Sequence, residues 1–397
     1  MDKVRFGIIG TGVIGQLHAD SIASDTGRYV ALTAVCDCDA DRARAVGEAH
    51  GVAHFADAGK LFDSGLCDAV IIATPHYAHG PLTIRAARAG LHVLCEKPLA
   101  SSVTHARAMI AECKKRRRQL GAMLQHRTRG IMQTARKLVA DGALGEVFRV
   151  QMICSGWFRT QAYYDSGAWR GTWDGEGGGV LINQAPHHLD LFQWIGLGLP
   201  QRLIAVTQTR EHEIEVEDTA NILCDYGNGR MGYICATTAE LPGMEQFILS
   251  GDKATMVIQD DTIRLGTLKV PIKDFTYSSK AANAGVSPTM TQDCTWREVP
   301  YRRPKTDGAH IEIIRGFARK VLGRGEQYAP GAEAINELEL SNAAYLSGYA
   351  DGRAVDVPVD GAKVDRLLAK LDRQRSTGKG GGLRAKHQRQ FTRLMRR

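Results

Sequence analysis

The stretch FGIIGTGVIGQLHA, residues 6–19, decides the fold class of the N-terminal part of this chain. Its spacing Gly-x-Gly-x-x-Gly lies between an apolar run and an amphipathic run. The first glycine permits a tight turn, the second lets backbone approach a pyrophosphate, and the third lets helix and strand pack closely. The stretch therefore predicts a dinucleotide-binding turn at the N-terminus of a helix. The residues of this turn are Gly10, Thr11, Gly12, Val13, Ile14 and Gly15.

The first 125 residues alternate short apolar runs with amphipathic stretches. This order is typical of a parallel sheet covered by helices on both faces, which is the α/β class called the Rossmann fold when it binds a dinucleotide. The predicted strands cover residues 4–9, 30–37, 69–73, 92–95 and 121–124, and the predicted helices cover 14–23, 40–50, 82–89 and 104–118.

An acidic residue at the end of the second strand bears on the cofactor. Asp37 can accept hydrogen bonds from a ribose diol and repels a 2′-phosphate, which predicts NAD and makes NADP the less favoured cofactor. A helix N-cap is the alternative role, and Asp39 fits that role better. Arg42 keeps the NADP alternative open, because a nearby arginine can accept a phosphate.

Two further strands end in polar residues at the same predicted edge of the sheet. One is followed by Thr74, Pro75, His76 and His79, and the other by Glu96-Lys97-Pro98. Ligands bind at the carboxyl ends of the strands in such sheets, so these residues are expected to border the cofactor. Solvent exposure is the usual state of a strand-end lysine. The adjacent glutamate can orient or pair with the ammonium, the proline fixes the backbone, and desolvation would lower the pKa of the lysine towards a value useful in acid–base chemistry.

After residue 125 the pattern changes to helices followed by alternating runs separated by turn residues such as YGNG and SGDK. This predicts an α+β C-terminal domain with a large, mostly antiparallel open sheet. We expect a dinucleotide-binding domain over residues 1–125, a substrate-binding and oligomerisation domain over 126–372, and a basic, flexible tail over 373–397.

The net charge of +8 does not indicate a nucleic-acid-binding protein. The tail over residues 373–397 holds nine Lys and Arg and no acid, and removing those nine charges leaves −1 for the rest of the chain. A solvated terminus or an arm on a neighbouring subunit is the preferred role for this tail. Nine scattered cysteines without a Cys-x-x-Cys predict reduced thiols in a cytoplasmic protein, and we expect neither a secretory signal nor a membrane span.

The chain resembles the Gfo/Idh/MocA oxidoreductases, which include glucose–fructose oxidoreductase and inositol dehydrogenase. The match spans roughly residues 4–360 and consists of motifs in matching order. They are the glycine turn, Thr74-Pro75 with His79, Glu96-Lys97-Pro98, Trp169-Arg170, Gly177-Gly178-Gly179, His187-x-x-Asp190, VEDTANILCDYGNG and AAYLSG. The resemblance implies a Rossmann domain, a second domain whose open sheet supports a homo-oligomer (dimer or tetramer), and NAD(P)-dependent chemistry on a sugar or cyclitol carbinol.

The resemblance also implies a catalytic pair. In relatives the lysine that matches Lys97 contacts substrate and nicotinamide ribose, and the histidine three residues before the aspartate exchanges the hydroxyl proton. This spacing selects His187 over its neighbour His188. Relatives often carry aspartate where this chain has Asn183, which can hold a hydroxyl but cannot take a proton. We therefore predict Lys97 and His187 as catalytic residues and Asn183 as a substrate-binding residue.

The remaining site predictions concern binding. Arg127, Trp169 and His310 are predicted to line the substrate together with Lys97, Asn183 and His187, and no metal ligands are evident. Beyond the glycine turn, the predicted cofactor contacts are Asp37, Thr74, Pro75, His76, His79, Glu96, Lys97, Trp169 and Arg170.

These residues predict an NAD-dependent enzyme that oxidises a secondary hydroxyl of a sugar, a glycoside (with C3 as one candidate carbon) or a cyclitol by hydride transfer. Two alternatives stay open: an enzyme that uses tightly bound NAD transiently for glycoside cleavage or epimerisation, and a non-catalytic NAD-binding regulator. The sequence leaves open the substrate, the carbon, the direction of reaction, the oligomer size and the role of the tail.

Overall fold

The computed structural model describes residues 2–280 and 294–376, and the predicted tail from residue 377 onward lies outside this part. The N-terminal part contains, in order, β1 (Val4–Ile9), α1 (Val13–Ala23), β2 (Val30–Cys36), α2 (Ala40–His50), β3 (Ala53–Phe55), α3 (Ala58–Phe62), β4 (Ala69–Ile72), α4 (His76–Arg88), β5 (His92–Cys95), α5 (Val103–Lys115) and β6 (Leu120–Ala122).

These strands form one parallel sheet in the order β3-β2-β1-β4-β5-β6, which confirms the predicted Rossmann architecture. Strands of a parallel sheet are apolar on both faces because helices cover both, and every residue of β4 is buried. The sequence did not predict β3 and α3, which are three and five residues long. Segments this short carry too few residues for a periodic pattern.

The C-terminal part begins with a short 3-10 helix (Gln125–Thr128). It continues with α6 (Gly130–Ala140), β7 (Val147–Cys154), α7 (Gln161–Asp165), α8 (Val180–Asn183), α9 (Pro186–Ile195), β8 (Arg202–Gln208), β9 (Thr219–Gly227), β10 (Arg230–Thr237), β11 (Glu245–Gly251), β12 (Ala254–Gln259), β13 (Thr262–Leu268), α10 (Ile272–Ser278), β14 (Cys294–Glu298), α11 (His310–Val321), α12 (Gly331–Gly348), β15 (Val355–Asp356) and α13 (Gly361–Ser376).

The second sheet contains nine strands within the described residues, in the order β14-β13-β12-β11-β7-β10-β9-β8-β15. All neighbouring pairs are antiparallel except β10 and β7, which confirms a large, mostly antiparallel sheet. Helices α9 and α12 cover one face. Large side chains on the other face remain exposed, among them Ile204, Leu223 and Met231. The sheet is therefore open on one side.

Two late helices cross the predicted boundaries: α11 packs on the N-terminal domain, and α13 reaches into the predicted tail. The apolar face of α11 packs on the first sheet, where Ile314 and Phe317 join Val4 and Phe6 in one buried cluster. The rings of Phe6 and Phe317 lie 6.3 Å apart. Helix α13 bears on a different boundary: it runs from Gly361 to the last described residue, Ser376, so four of its residues lie in the segment predicted as a flexible tail. No helix in residues 2–280 or 294–376 has the length and apolarity needed to cross a membrane.

Candidate active site

The glycine turn joins β1 to α1 and leaves an open surface for a ligand. Gly10 has φ +91°, and a Cβ there would lie 2.6 Å from the carbonyl oxygen of Ala73. A Cβ on Gly15 would lie 1.9 Å from the carbonyl oxygen of Gly10, so only glycine fits. A Cβ on Gly12, in contrast, would meet no heavy atom within 4 Å. The free space thus lies where a pyrophosphate contacts the helix N-terminus.

Asp37 follows β2 and faces this turn. Its Oδ2 accepts hydrogen bonds from the backbone N–H of Thr11 at 2.8 Å and from the Thr11 hydroxyl at 3.1 Å, and its Oδ1 accepts from the N–H of Asp39 at 3.0 Å. Burial alone raises the pKa of Asp37, but these hydrogen bonds and Arg42 at 3.5 Å lower it overall. Asp39 caps α2 by accepting from the N–H of Arg42, which confirms that Asp39 is the helix cap, and the cofactor contact of Asp37 stays a prediction.

We expect Asp37→Ala to weaken NADH binding by roughly 10–100-fold, which corresponds to one lost hydrogen bond to a charged group. NADPH binding should fall less, because the carboxylate that repels a 2′-phosphate is removed. Titration of nicotinamide fluorescence with both cofactors measures the change. Asp39→Ala, which removes only the helix cap, is the matched control. Equal NADH affinity in Asp37→Ala and the unsubstituted protein would refute a cofactor role for Asp37.

The histidines after β4 connect loops from both parts of the chain. His79 is buried, and its two ring nitrogens contact the carbonyl oxygens of Pro98 and Thr74, each at 2.9 Å. Nδ1 of His76 contacts the backbone oxygen of Glu176 at 2.7 Å. The prediction that His79 contacts the cofactor is therefore corrected. Both ring nitrogens face backbone oxygens, and the residue fixes the two loops that border the crevice.

Glu96 holds the backbone of Lys97 in place. Its Oε1 lies 2.7 Å from Nε2 of His18, and its Oε2 accepts the backbone N–H of Lys97 at 3.0 Å. Burial raises the pKa of Glu96, but the hydrogen bond and charge of His18 outweigh it and bring the pKa to about 2. The Lys97 ammonium donates to the backbone oxygen of Asn183 at 2.8 Å, with Oδ1 of Asn183 at 3.4 Å.

Lys97 thus bridges the two parts of the chain. Burial lowers its pKa, while the negative charges of Glu96, Glu176 and Glu337 act in the opposite direction. A partly buried ammonium next to several acids is a strong hydrogen-bond donor to an oxygen that becomes negative.

Two adjacent histidines of α9 face different surroundings. The His187 ring stacks on the ring of His126, with centroids 4.3 Å apart and planes at 21°. Burial and the nearby charges of His126 and Lys97 lower the pKa of His187 well below 6.5, so its imidazole is neutral at neutral pH. Nε2 of His188 instead lies 3.4 Å from Oε1 of Glu245. His187 therefore is the histidine available as a proton acceptor beside Lys97.

Arg127 lies beneath the site and does not line it. It is fully buried, and its Nε and Nη2 donate to the two carboxylate oxygens of Asp190 at 2.8 and 2.7 Å. Its Nη1 donates to the backbone oxygen of Tyr328 at 3.0 Å and to Glu333 at 2.6 Å. The prediction that Arg127 contacts the substrate is thus corrected, because its donors hold α9 and the 3-10 helix together.

The loop before α8 brings aromatic and basic side chains next to Asn183. Nη1 of Arg170 donates to the Tyr163 hydroxyl at 2.6 Å, and its guanidinium lies 4.6 Å from the ring centroid of Trp169. The Tyr163 hydroxyl also accepts from Nδ2 of Asn183 at 3.2 Å. The Trp169 ring meets that of His76 edge-on at 5.7 Å. Trp169, Arg170 and His76 therefore lie together, as expected, and Tyr163 is an addition that the sequence analysis missed.

A second missed residue is Glu176, in the segment GEGGG. It is 1% exposed; Oε2 accepts the N–H of Gly171 at 2.7 Å, and Oε1 accepts from Nδ2 of Asn183. Burial raises its pKa to about 7 against the lowering effect of these hydrogen bonds and of Arg170 and Lys97. A glutamate among four glycines was the available signal. It places a titratable group one contact away from Lys97.

We expect Glu176→Gln to lower kcat by about 10–100-fold, because the amide of Asn183 loses a hydrogen bond to a charged acceptor. A carboxyl with a pKa of about 7 is ionised only above that pH, so the rate should rise through neutral pH in the unsubstituted enzyme and lose this inflection in the variant. The pH profile of kcat measures both effects. Glu217→Gln removes another buried carboxyl with a pKa of about 7 and should retain the inflection.

His310 begins α11 and lies next to His18. Its ring centroid is 5.3 Å from that of His18, and burial lowers its pKa. A substrate contact for His310 stays a prediction. Within residues 2–280 and 294–376, no three His, Cys, Asp or Glu side chains are grouped as metal ligands.

Comparison with known proteins matches two family models to this chain. Residues 4–124 match the model of an oxidoreductase family with an NAD-binding Rossmann fold, and residues 132–257 match the GFO/IDH/MocA C-terminal domain. The chain is 28% identical over 362 residues to D-apiose dehydrogenase of Rhizobium rhizogenes, covering 90% of this chain and 98% of that protein. It is 32% identical over 196 residues to inositol 2-dehydrogenase of Rubrobacter xylanophilus, covering 49% and 52%.

A solved structure agrees with the fold along most of the chain. The WlbA dehydrogenase from Bordetella pertussis, in complex with NADH and UDP-GlcNAcA, superposes with a TM-score of 0.74 at 27% identity, covering 90% of this chain and 100% of that chain. Levoglucosan dehydrogenase, in complex with NADH and L-sorbose, is 20% identical with a TM-score of 0.74, covers 91% of this chain and 100% of that chain, and supports the fold alone.

Proposed function

The chain belongs to the GFO/IDH/MocA oxidoreductase family, and from that premise we propose that it oxidises a secondary hydroxyl of a sugar, glycoside or cyclitol. It is an NAD-dependent enzyme of the sugar dehydrogenase class. The observation that carries the proposal is the hydrogen bond from Lys97, of the Rossmann domain, to Asn183, of the second domain, with His187 near enough for the Lys97 charge to lower its pKa. The ammonium and the neutral imidazole are the two groups that an alcohol oxidation requires.

Bound NAD would lie along the glycine turn and Asp37 and would accept the hydride from the substrate carbon. The protein residues handle the proton and the charge. His187 is neutral at neutral pH and accepts the hydroxyl proton as the carbon loses its hydride. Lys97 donates a hydrogen bond to the same oxygen and stabilises the negative charge that develops there.

Asn183 positions this pair. Its backbone and side-chain oxygens accept from Lys97, while its Nδ2 donates to Glu176 and Tyr163. Glu176 therefore fixes the orientation of the Asn183 amide and keeps Oδ1 towards Lys97. In this arrangement residue 183 supplies no carboxyl, and Glu176 of the glycine-rich loop is one of the three acids that act on Lys97.

The substrate and the oxidised carbon are proposals of a finer kind. We propose a pyranose or glycoside, with C3 as the first carbon to examine. Trp169 is partly exposed next to Arg170 and His76, and an indole ring suits sugar C–H surfaces. A panel of sugars, glycosides and cyclitols with NAD and NADP, followed by the absorbance of reduced nicotinamide, tests this. Turnover without accumulating NADH would support the transient use of tightly bound NAD. If the protein binds NAD but oxidises none of the compounds, the remaining hypothesis is the non-catalytic NAD-binding regulator.

The open face of the second sheet supports the proposed homo-oligomer. Ile204, Leu223 and Tyr233 lie in one row across β8, β9 and β10, and the first two are 42% and 52% exposed. Apolar surface of this kind is typical of subunit contacts. Sedimentation equilibrium would give the number of subunits. All nine cysteines are free thiols, which supports the proposed reducing, cytoplasmic location.

A further inference from the structure

Two arginines flank one tyrosine beside the candidate active site. The guanidinium of Arg159 lies 4.5 Å from the ring centroid of Tyr163, and the guanidinium of Arg170 lies 4.4 Å from the same centroid. A second aromatic ring supports each cation, because Trp157 lies 5.4 Å from Arg159 and Trp169 lies 4.6 Å from Arg170. Stacking of this kind holds a guanidinium in place and leaves its N–H groups able to donate.

The backbone of Arg159 is anchored, but its side chain has no polar partner. Its N–H donates to the carbonyl oxygen of Thr238 at 3.0 Å, and its own carbonyl oxygen lies 2.8 Å from Nε2 of His212. In residues 2–280 and 294–376, its guanidinium makes no hydrogen bond and has no Asp or Glu oxygen within 4 Å, and its Nε is shielded from water without an acceptor. An unpaired charged donor costs free energy, so this arrangement indicates a ligand that carries negative charge.

The surroundings of these two arginines carry an excess of positive charge. Arg127, beneath the site, is neutralised by the carboxylate of Asp190. Glu176 is close enough to Arg170 for their charges to interact, but burial raises the pKa of Glu176 to about 7, so that it is only partly ionised at neutral pH. No acid of the described residues pairs with Arg159, which makes the local charge positive.

The two cations lie towards different domains. The ring that supports Arg170 meets His76, which follows β4 of the Rossmann sheet, and Arg170 stays a predicted cofactor contact. The ring that supports Arg159 donates a hydrogen bond to Glu245, at the start of β11 in the second sheet. Because the phosphates of a bound dinucleotide would lie at the glycine turn on the Rossmann side, the cofactor does not account for Arg159.

One amide separates the Tyr163 hydroxyl from Lys97. Oδ1 of Asn183 lies 3.4 Å from Nζ of Lys97, and Nδ2 of the same amide lies 3.2 Å from the hydroxyl. A sugar ring that makes hydrogen bonds at both of its ends spans a similar separation. The side chains along this path, including that of Arg159, are all partly exposed. A sugar whose reacting hydroxyl contacts Lys97 can therefore place another substituent at Tyr163 and Arg159.

We propose that Arg159 determines substrate specificity by binding an anionic substituent of the sugar, a carboxylate or a phosphate, while the reacting hydroxyl contacts Lys97 and His187. The inference rests on the proposed oxidation of a sugar hydroxyl and narrows its substrate to acidic sugars. A guanidinium presents two parallel N–H groups that match two oxygens of a carboxylate or phosphate, and such charge-assisted hydrogen bonds are about twice as strong as neutral ones.

The test compares acidic sugars with neutral sugars of the same configuration. The pairs are D-glucuronate and D-glucose, D-galacturonate and D-galactose, and D-glucose 6-phosphate and D-glucose. Calorimetric titration into the NADH-loaded protein gives Kd without any need for turnover. In at least one pair the acid should bind about 10–100-fold more tightly, the gain expected from a hydrogen bond to a charged group. Acids that bind no more tightly than their neutral partners in all three pairs would overturn the proposal.

The same titrations identify the anionic group. A preference for either uronate supports the proposal with a carboxylate as the bound group, and a preference for the 6-phosphate alone supports it with a phosphate.

Substitutions locate the effect at one side chain. Arg159→Gln removes the cation but keeps an amide donor, and the ratio of the two Kd values should fall towards one. Arg159→Lys keeps the charge without the parallel donors and should retain part of the preference. Arg264→Gln is the matched control, because it removes a guanidinium stacked 5.2 Å from Trp296 on β13, next to the edge strand of the second sheet. A preference that persists unchanged in Arg159→Gln would place the anion elsewhere and refute the role of Arg159.

Turnover of the same sugars separates this proposal from the proposed oxidation. A preference for acids that Arg159→Gln abolishes, without oxidation of any acidic or neutral sugar, would support the anion site and count against the oxidation. Oxidation of acidic and neutral sugars with equal kcat/KM would support the oxidation and count against the anion site.

Discussion

Lys97→Ala should lower kcat by at least about 10²–10³-fold, which is the usual effect of removing a hydrogen-bond donor to a developing negative charge. The reason is local, because the Lys97 ammonium extends to Asn183 and lies within the field of three acids. The alanine variant leaves no cation at that position. Steady-state oxidation of the best glycoside in the panel measures the loss.

Cofactor binding should survive this change, since the glycine turn and Asp37 lie on the other strands. Titration of NADH fluorescence should give a Kd within a few-fold of the unsubstituted value. Lys115→Ala, at the end of α5, is a matched control for the removal of one positive charge. Unchanged turnover in Lys97→Ala would refute the role assigned to the lysine, and loss of NADH binding would show that the lysine acts mainly in holding the cofactor.

His187→Asn should lower kcat for oxidation by about 10²–10⁴-fold, the range typical of a lost general base. Asparagine keeps a polar side chain of similar reach but cannot accept the hydroxyl proton. His188→Asn is the natural control because it removes the adjacent histidine, which faces Glu245 and not Lys97. If kcat falls more in His188→Asn than in His187→Asn, His188 and not His187 is the proton acceptor.

The pH dependence of oxidation gives a second measure of His187. Its folded-state pKa lies well below 6.5, so the base form is present above that lowered value and disappears only as the pH falls through it. As the pH falls through neutrality, the rate of oxidation should decline only because Glu176 becomes protonated. Because His187 is still neutral there, a residual rate should remain well below pH 6.5. In Glu176→Gln the rate should be flat across neutral pH. A decline at pH 6.5 that persists in Glu176→Gln would show an imidazole with an ordinary pKa.

The sequence predicted those features that short-range patterns encode. The glycine turn is recognisable because Gly10 and Gly15 have backbone neighbours within 2.6 Å of any Cβ, so that the motif is dictated by local geometry. Strands such as β4 and β5 are recognisable because both faces are buried. The separation of roles between Asp37 and Asp39 likewise follows from their positions at a strand end and a helix start.

Short-range sequence patterns do not predict which distant segments come into contact. The sequence analysis placed Arg127 beside the substrate, and only the approach of α9 brings Asp190 to it and buries both. Glu176 reads as a loop residue, and its contact with Asn183 depends on how the loop folds back on α8. Helix α11 gives no sign in its own sequence that its apolar face covers the first sheet. Tertiary packing determines all three.

Isotope transfer from substrate to cofactor tests the central claim most directly. The protein is incubated with NAD and with ring-deuterated sugars, glycosides and cyclitols, the cofactor is released by denaturation, and its nicotinamide is analysed by mass spectrometry. The account predicts deuterium on the nicotinamide with at least one compound, whether or not NADH accumulates, and transfer at least about 10²-fold slower with Lys97→Ala. An intact, NAD-loaded protein that transfers no deuterium from any compound in the panel would contradict it.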